Sequence, residues 1–370
     1  MSGRSLSHWL VKRLSVYWLL AFIPITLILE HAGGLPPPWI FFSAALAIIP
    51  IAAMIVHATE QLSRRTGDAI GGLLNATFGN APELIIALVA LKAGLLDMVR
   101  ASLSGAVLAN MLLALGVSFL LGGIRHHDQR FNSQAARSYC TLLFLAVLSL
   151  AVPSAFSRYF APEETIRQEK LLNLGIASVL VLAYALYLVF SLKTHPGAFA
   201  SVEEREEPHE EQAWGLPRAI ASLTVASALA AWMSEILVGA AEGTGKALGM
   251  SSGFIGIVFL AIVGGAAESG SAVAMARKNK VDLTIGIALG SSIQIILFVA
   301  PVLVFASYFI APQPLELSFG RAEVGSLFIA VLLGSMVCSD GQANWYKGVQ
   351  LIIVYSIIAL MFYFLPGAIP

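Results

Sequence analysis

The chain has 370 residues, of which 58% are hydrophobic and only 12% are charged, against roughly 25% charged in an ordinary soluble domain. So few charged side chains cannot cover the surface of a water-soluble fold, and the composition therefore predicts a membrane protein. The 22 basic and 22 acidic side chains cancel to a net charge of zero, so the charge balance gives no indication of nucleic-acid binding.

Eleven apolar runs are long enough to be membrane-crossing helices, because a helix needs roughly 20 mostly apolar residues to span the hydrocarbon core. Long apolar blocks such as residues 352–364 differ from the short alternating segments of a β-barrel. The sequence therefore predicts an all-α polytopic membrane protein. In chain order the runs are residues 14–31, 38–58, 69–92, 99–123, 134–153, 170–192, 216–240, 252–275, 283–309, 321–339 and 345–365.

The first run follows Arg4, Lys12 and Arg13 and is either an uncleaved helix or a signal peptide. Because no small-residue cleavage pattern separates it from Pro36, we interpret it as an extra N-terminal helix.

Cells retain Lys-rich and Arg-rich loops on the cytoplasmic side, and a cytoplasmic N-terminus places fifteen of the 22 basic residues there. The loops therefore predict a cytoplasmic N-terminus and an external C-terminus.

The third run combines helix-breaking residues with an acid. Gly79 and Pro82 weaken its backbone hydrogen bonds, because proline lacks the N–H group and glycine disfavours the helix; Glu83 follows directly. At membrane depth such backbone lies inside protein or beside a watery cavity, where its carbonyls can coordinate a cation. The sequence predicts a discontinuous helix here, with the Ala81 carbonyl as a candidate ligand.

A polar loop at residues 194–215 separates the sixth and seventh runs. It carries six glutamates between Glu203 and Glu211. Two interpretations stay open, a solvated acidic linker and a segment on the cytoplasmic face that attracts cations.

The eighth run repeats the pattern of the third. The segment Gly264–Glu268 matches Gly79–Glu83 at an offset of 185 residues, and the register continues without gaps to Gly290, which matches Gly105. Two halves of five runs each are implied, and because five is odd the second half enters the bilayer upside down. The predicted division is residues 1–37 with the extra helix, a first repeat at 38–193, an acidic linker at 194–215 and a second repeat at 216–370.

The mirrored glutamates, Glu83 and Glu268, are the leading candidates for binding cations and protons. A carboxylate at the bilayer centre costs at least ~2.5 kcal/mol, so two of them need a compensating role. The alternative is a structural pair of protonated glutamates that hydrogen-bond between helices. The eighth run also breaks at Gly264 and Gly265, which makes the Ala266 carbonyl a second candidate ligand.

Neutral polar side chains accompany these acids on the fourth and ninth runs. Together with two carboxylates they form a hard oxygen-ligand set that favours calcium or another oxygen-preferring cation, although each taken alone is better explained by interhelical hydrogen bonding. These side chains are Ser104, Asn110, Ser291, Ser292 and Gln294.

Five further acids lie in the apolar runs or at their ends. Glu60, Glu235 and Glu242 are either ordinary interfacial acids or members of an ion pathway. Asp97 and Asp282 open the helices that follow the two breaks, where we expect them to cap the helix N-termini.

Three motifs together resemble the signatures of the calcium/proton exchanger family, within the calcium/cation antiporter superfamily. They are Asn75-Ala-Thr-Phe-Gly-Asn-Ala-Pro-Glu83, Gly264-Gly-Ala-Ala-Glu268 and Ala288-Leu-Gly-Ser-Ser-Ile-Gln294. The resemblance implies calcium export against proton entry, with Glu83 and Glu268 as the central cation- and proton-binding glutamates and Asn80, Asn110 and Gln294 as their polar partners. The short N-terminus resembles that of prokaryotic members, which implies the prokaryotic cell (inner) membrane.

The chain departs from the family pattern at Gly265 and Ser269, where members usually carry Asn and His. The candidate cation-binding set is Glu83, Glu268, Asn80, Ala81, Ala266, Asn110, Gln294 and Ser291.

The leading hypothesis is an antiporter whose single site holds calcium or protons in turn and faces the two sides of the membrane alternately. It needs no cofactor, and its partners are the bilayer and the two transported ions. The alternatives are an antiporter for sodium, potassium or manganese, and a passive cation channel. The sequence lacks the HExxH and P-loop motifs, which argues against an enzyme.

Overall fold

The computed structural model describes residues 16–66, 71, 74, 77–159, 166–199 and 214–365, and this part of the chain is almost entirely helical. Seven of its helices are long and apolar enough to cross a membrane, or eight if one bent pair forms a single span. The all-α polytopic prediction is confirmed, whereas the count of eleven crossings is not. The glutamates between 203 and 211 lie outside the described residues.

We number the helices of the described residues in chain order. They are α1 Val16–His31, α2 Pro37–Thr66, α3 Ala81–Lys92, α4 Leu96–His126, α5 Ser133–Tyr159, α6 Ile166–Leu188, α7 Leu216–Leu248, α8 Ser252–Gly264, α9 Ala266–Arg277, α10 Val281–Ile310, α11 Arg321–Val337 and α12 Trp345–Phe364. A π turn, Val189–Thr194, continues α6, and a short 3-10 turn, Pro196–Phe199, follows it.

Two three-residue strands add a small sheet that the sequence does not predict. β1, Asp128–Arg130, follows α4 and pairs antiparallel with β2, Gln342–Asn344, which precedes α12. Strands this short carry no hydrophobic periodicity, so their pairing depends on the tertiary fold that brings the two loops together.

Both predicted helix breaks are present. α8 and α9 are bent by 57° at Gly265, and α3 begins at Ala81 after a turn at Gly79 and Asn80. Pro82 lies in the first turn of α3, where its missing N–H costs no intrahelical hydrogen bond. The starts of α3 and α9, and likewise their ends, are 185 residues apart, so the helix bounds keep the offset of the sequence repeat.

The core is built around α4 and α10, which cross the protein beside the breaks. The most apolar window of α4 is 72% buried and that of α10 is 56% buried, whereas the window of α6 is 17% buried. Each central helix contains a π turn, at Ala109–Ala114 in α4 and at Ile295–Val299 in α10. π turns inside α-helices often occur at functional sites; Asn110 lies in the first of these two turns, and Gln294 directly precedes the second.

A close approach of α4 and α8 holds the two halves of the chain together. A Cβ atom on Gly256 would lie 2.7 Å from the Ala101 Cβ, and one on Gly105 would collide with the Ile257 backbone. Small residues at this crossing therefore let the two backbones touch, which is a common way for helices to pack in membranes.

Candidate functional site

Glu83 lies in the first turn of α3 and packs against the break between α8 and α9. A Cβ atom on Gly264 would lie 2.9 Å from the Glu83 Cγ, so the approach requires glycine there. The side chain is buried, and neither carboxyl oxygen has a hydrogen-bond partner in the described part of the chain. A buried ionised carboxyl without a partner is strongly unfavourable, so this group needs a proton or a cation.

The opposite glutamate belongs to a hydrogen-bonded network that centres on Ser291 of α10. The Ser291 hydroxyl contacts the Glu268 carboxyl through Oε2, and it lies 2.6 Å from the Asn80 Oδ1. The Asn110 amide donates to the Ser291 oxygen at 3.2 Å, and the Asn80 amide donates to the Gln294 Oε1 at 2.6 Å. One serine thus joins residues from both breaks and from both central helices.

The number of available hydrogen atoms restricts this network. The Ser291 hydroxyl has a single hydrogen, so it can donate to the Asn80 carbonyl oxygen or to the Glu268 carboxylate, but not to both. If Glu268 carries a proton, it donates to the Ser291 oxygen and the serine donates to Asn80, which gives both contacts of the hydroxyl a hydrogen. The arrangement therefore fits a protonated Glu268.

A cavity of about 290 Å³ connects the network to the protein surface. Glu268, Ser291 and Gln294 form its inner end, and Glu60 and Asp282 also line it. Glu83 does not line this cavity, although the two glutamates lie close enough for their charges to repel one another. Of the two mirrored glutamates, Glu268 is therefore the one that an ion in this cavity can contact.

The three acids predicted for an ion pathway have different surroundings. Glu60 lines the cavity, and its carboxylate lies 4.0 Å from the His57 ring. Glu235 is exposed and lies 3.6 Å from the Lys92 ammonium. Glu242 is exposed as well, forms a 2.7 Å ion pair with Lys246, and borders a separate cavity of about 1020 Å³. Of the three, Glu60 shares a cavity with Glu268.

Two predicted polar residues lie away from the network. The Ser104 hydroxyl contacts the Glu323 carboxylate at 3.2 Å, beside the larger cavity. The Ser292 hydroxyl donates to the Ala288 carbonyl within its own helix. Because adjacent residues on a helix point in different directions, Ser291 reaches the site while Ser292 does not.

The prediction that Asp97 and Asp282 cap their helices is wrong. Asp97 pairs with Arg100 one turn later, and the Asp282 carboxylate accepts a hydrogen bond from the Asn132 backbone N–H at 2.7 Å. The N-cap positions are occupied by Leu95 and Lys280, neither of which caps through its side chain. A basic residue one turn later binds the Asp97 carboxylate, and a distant backbone N–H binds that of Asp282.

Sequence reasoning missed two polar side chains of the cavity, Ser271 and Tyr139. A signal existed for Ser271, because it follows Glu268 by three residues and such residues share a helix face. Tyr139 comes from α5, which meets α10 only through the tertiary fold, so nothing in its local sequence marks it.

The chain is similar to known proteins over most of its length. The family model described as sodium/calcium exchanger protein matches residues 37–193 and 218–364. The chain is 39% identical to a Ca(2+)/H(+) antiporter of Aphanothece halophytica, over 96% of this chain and 98% of that protein. It is 41% identical to the Ca(2+)/H(+) antiporter ChaA of Bacillus subtilis, over 89% of this chain and 93% of that one. The solved structure of native YfkE superposes with a TM-score of 0.81, at 37% identity, over 95% of this chain and all of that chain.

Proposed function

The chain belongs to the sodium/calcium exchanger protein family, and we propose that it is a secondary antiporter that exchanges calcium for protons across a membrane. Relatives that match nearly its full length carry the name Ca(2+)/H(+) antiporter. Family and relatives are transporters rather than enzymes, so the ions are substrates and the protein needs no cofactor for chemistry.

Glu83 and Glu268 bind calcium or protons in turn at one site. The observation that carries this proposal is the contact between Glu268 and Ser291. The Ser291 hydroxyl can form hydrogen bonds with both Asn80 and Glu268 when Glu268 holds a proton. When Glu268 loses that proton, its carboxylate and the oxygens of Ser291, Asn80 and Gln294 become available to a divalent cation. Oxygen ligands of this kind suit calcium.

Glu83 supplies the second negative charge. Its oxygens have no hydrogen-bond partner in the described residues, and it lies against the same break that presents Glu268. Two ionised carboxylates balance the charge of one calcium ion, and two protons replace it when the ion leaves. The Asn110 amide and the carbonyls of Ala81 and Ala266 complete the proposed ligand set.

Alternating access requires the two repeats to move against one another. The family match falls in two segments, and the helix bounds at the breaks repeat at an offset of 185 residues, which supports two repeats at 38–193 and 216–370. The cavity beside Glu268 provides one access route, and the larger cavity beside Glu242 and Glu323 lies on another route. Rocking at the α4–α8 contact would close one route and open the other.

An antiporter for another cation is the second candidate, and Gly265 favours it. A side chain at this position would begin 3.5 Å from the Asn110 Oδ1 and 3.6 Å from the Glu83 Oε1. Glycine leaves that space to water, which makes the ligand set less specific for calcium, so sodium, potassium or manganese could compete.

Orientation in the membrane is part of the proposal. The basic loops favour a cytoplasmic N-terminus and an external C-terminus, and the bacterial relatives favour the prokaryotic cell membrane. Glu60 and Asp282 then lie toward the cytoplasm, because basic residues such as Arg64, Arg65 and Lys280 are close to them in the sequence. Reporter fusions test this orientation: a C-terminal tag that is protected on the cytoplasmic side of intact cells contradicts it.

The function is tested with purified protein in liposomes. After a proton gradient is imposed, calcium movement and internal pH are followed together. An antiporter drives calcium against its own gradient, whereas a channel only dissipates that gradient. Calcium flux that is independent of the proton gradient would contradict the proposal, and the same assay with sodium, potassium or manganese ranks the competing cations.

A further inference from the structure

A groove of about 500 Å³ runs along the outer surface between α5 and α6, apart from the ion site. Its walls are mostly apolar, with Leu145, Leu186 and Phe190 among them, and Gln134 and Arg137 lie at one end. Apolar walls with a polar end match the shape and chemistry of a phospholipid, which has an acyl chain and a charged headgroup.

The groove faces the membrane. Only 17% of the apolar window of α6 and 33% of that of α5 is buried inside the protein. Leu186 and Phe190 are exposed although both are large and apolar, as expected on a surface that lipid covers. The polar end lies where α5 begins and α6 ends, and the Asn132 amide contacts the Ala198 carbonyl there at 3.5 Å, which keeps the two ends together.

One basic side chain lines this polar end, and a second basic residue lies in the last turn of the helix that forms one wall. Arg137 is exposed, and one of its nitrogens donates to the Ser339 carbonyl at 2.8 Å, which leaves other N–H groups of the guanidinium for an anion. Lys193 is also exposed and follows Phe190 by three residues. Neither residue forms an ion pair with a carboxylate among the described residues. Basic sites between helices at the membrane surface bind anionic headgroups.

The groove also shares a wall with the ion cavity. Tyr187 lines the groove, Tyr139 lines the cavity that reaches Glu268, and the two side chains hydrogen-bond to each other. A molecule packed against Tyr187 can therefore influence the position of Tyr139 in the ion cavity through one hydrogen bond.

We propose that one anionic phospholipid of the leaflet at the Arg137 end binds in this groove, with its phosphate at Arg137 and Lys193 and an acyl chain between α5 and α6. The charges of the two residues match the headgroup, and the apolar walls match the chain. Through the Tyr187–Tyr139 pair, the bound lipid stabilises the wall of the ion cavity.

The test measures lipid retained by purified protein after detergent extraction from vesicles of phosphatidylcholine mixed with phosphatidylglycerol. Native mass spectrometry counts the lipids bound to each chain and reports the oligomeric state. Wild-type protein should retain one phosphatidylglycerol. Each basic residue near an anionic headgroup contributes roughly fivefold in binding, so the double variant Arg137→Gln, Lys193→Gln should bind phosphatidylglycerol roughly 30-fold more weakly.

Two matched controls separate the groove from general effects. Arg125→Gln with Lys278→Gln removes the same charge from exposed positions outside the groove and should leave retention unchanged. Ala183→Trp fills the groove and keeps its charge, whereas Ala185→Trp adds the same bulk to the same helix outside the groove. Only Ala183→Trp should expel the lipid.

Three results would overturn the proposal. They are equal retention of phosphatidylcholine and phosphatidylglycerol, unchanged retention in both groove variants, and a lipid-free oligomer in which a second copy covers the groove. If the lipid binds as proposed, calcium/proton exchange in phosphatidylglycerol vesicles should also slow in Tyr187→Phe, which keeps the ring but removes the hydrogen bond to Tyr139.

Discussion

Asn80 and Gln294 are 214 residues apart in the chain, and the Asn80 amide donates a 2.6 Å hydrogen bond to the Gln294 side-chain oxygen. Asn80 occupies the turn that starts α3, and Gln294 immediately precedes the π turn of α10. The bond ties one helix break to the central helix of the other half. A movement of one half relative to the other therefore changes the positions of Asn80 and Gln294 at the ion site.

Replacing Glu83 or Glu268 with Gln should abolish coupled transport and leave a folded protein. Glutamine keeps the volume of the side chain, but it can neither balance the charge of calcium nor carry a proton. We expect proton-driven calcium uptake to fall at least a hundredfold in each single variant, while the elution volume on size exclusion stays unchanged. Glu235→Gln is the control, because that exposed acid lines neither cavity. Near wild-type uptake in both site variants would show that the mirrored acids are structural.

Ser291→Ala should weaken apparent calcium affinity, because it removes the hydroxyl that contacts Glu268 and Asn80. Loss of a hydrogen bond to a charged group costs about 1.5–3 kcal/mol, which corresponds to roughly tenfold to hundredfold in affinity. The adjacent Ser292→Ala is a matched control, since within the described part of the chain that hydroxyl bonds only to the Ala288 carbonyl in its own helix. The exchange rate measured against calcium concentration gives the apparent affinity of each variant. Equal affinities in the two variants would contradict the role of Ser291.

The two glycines at the second break should differ in their tolerance of a methyl group. Gly264→Ala places a Cβ atom 2.9 Å from the Glu83 Cγ, so the glutamate has to move; overpacking of this kind costs about 1–3 kcal/mol. Gly265→Ala meets its nearest atom, the Ala261 carbonyl oxygen, at 3.3 Å and needs only a small adjustment. The unfolding temperature and the exchange rate should both decrease more in Gly264→Ala than in Gly265→Ala. A reversed order would show that Glu83 does not pack on Gly264.

The location of both breaks could be predicted from the sequence because it depends on local chemistry. Pro82, Gly264 and Gly265 weaken the helical backbone in any surroundings, and the 185-residue repeat shows that the two breaks are equivalent. The acids could be predicted for the same reason, since a carboxylate in an apolar run is costly wherever the helix packs.

The partners of the polar residues could not be predicted in this way. Ser104 and Ser291 look alike in sequence, yet Ser104 contacts Glu323 and Ser291 contacts Glu268. Which partner each serine contacts depends on the rotation and depth of its helix. The packing of distant segments determines both. Asp282 likewise reaches the Asn132 backbone because α5 begins beside α10, a contact without a local signal.

Acidification of the calcium-loading face should slow transport, and added calcium should restore the rate. Protons and calcium compete for the Glu268 oxygens, and a protonated carboxyl binds calcium poorly. Initial rates in liposomes, measured against calcium at several pH values, should show a rising apparent KM and an unchanged maximal rate as pH falls. A maximal rate that falls at saturating calcium would mean that protons act somewhere other than a shared site.

Gly265→Asn should sharpen the preference for calcium over manganese and sodium. Gly265 has φ −78° and ψ 7°, a conformation that asparagine adopts readily, and its added side chain would start beside the Asn110 and Glu83 oxygens. The new amide oxygen would replace water with a fixed ligand, and a fixed oxygen set discriminates between cations better than mobile water does. Gly265→Ala is the control, because it adds the Cβ without the amide. Competition by manganese and sodium during calcium uptake measures the change, and identical cation profiles in the asparagine, alanine and wild-type proteins would show that position 265 does not set selectivity.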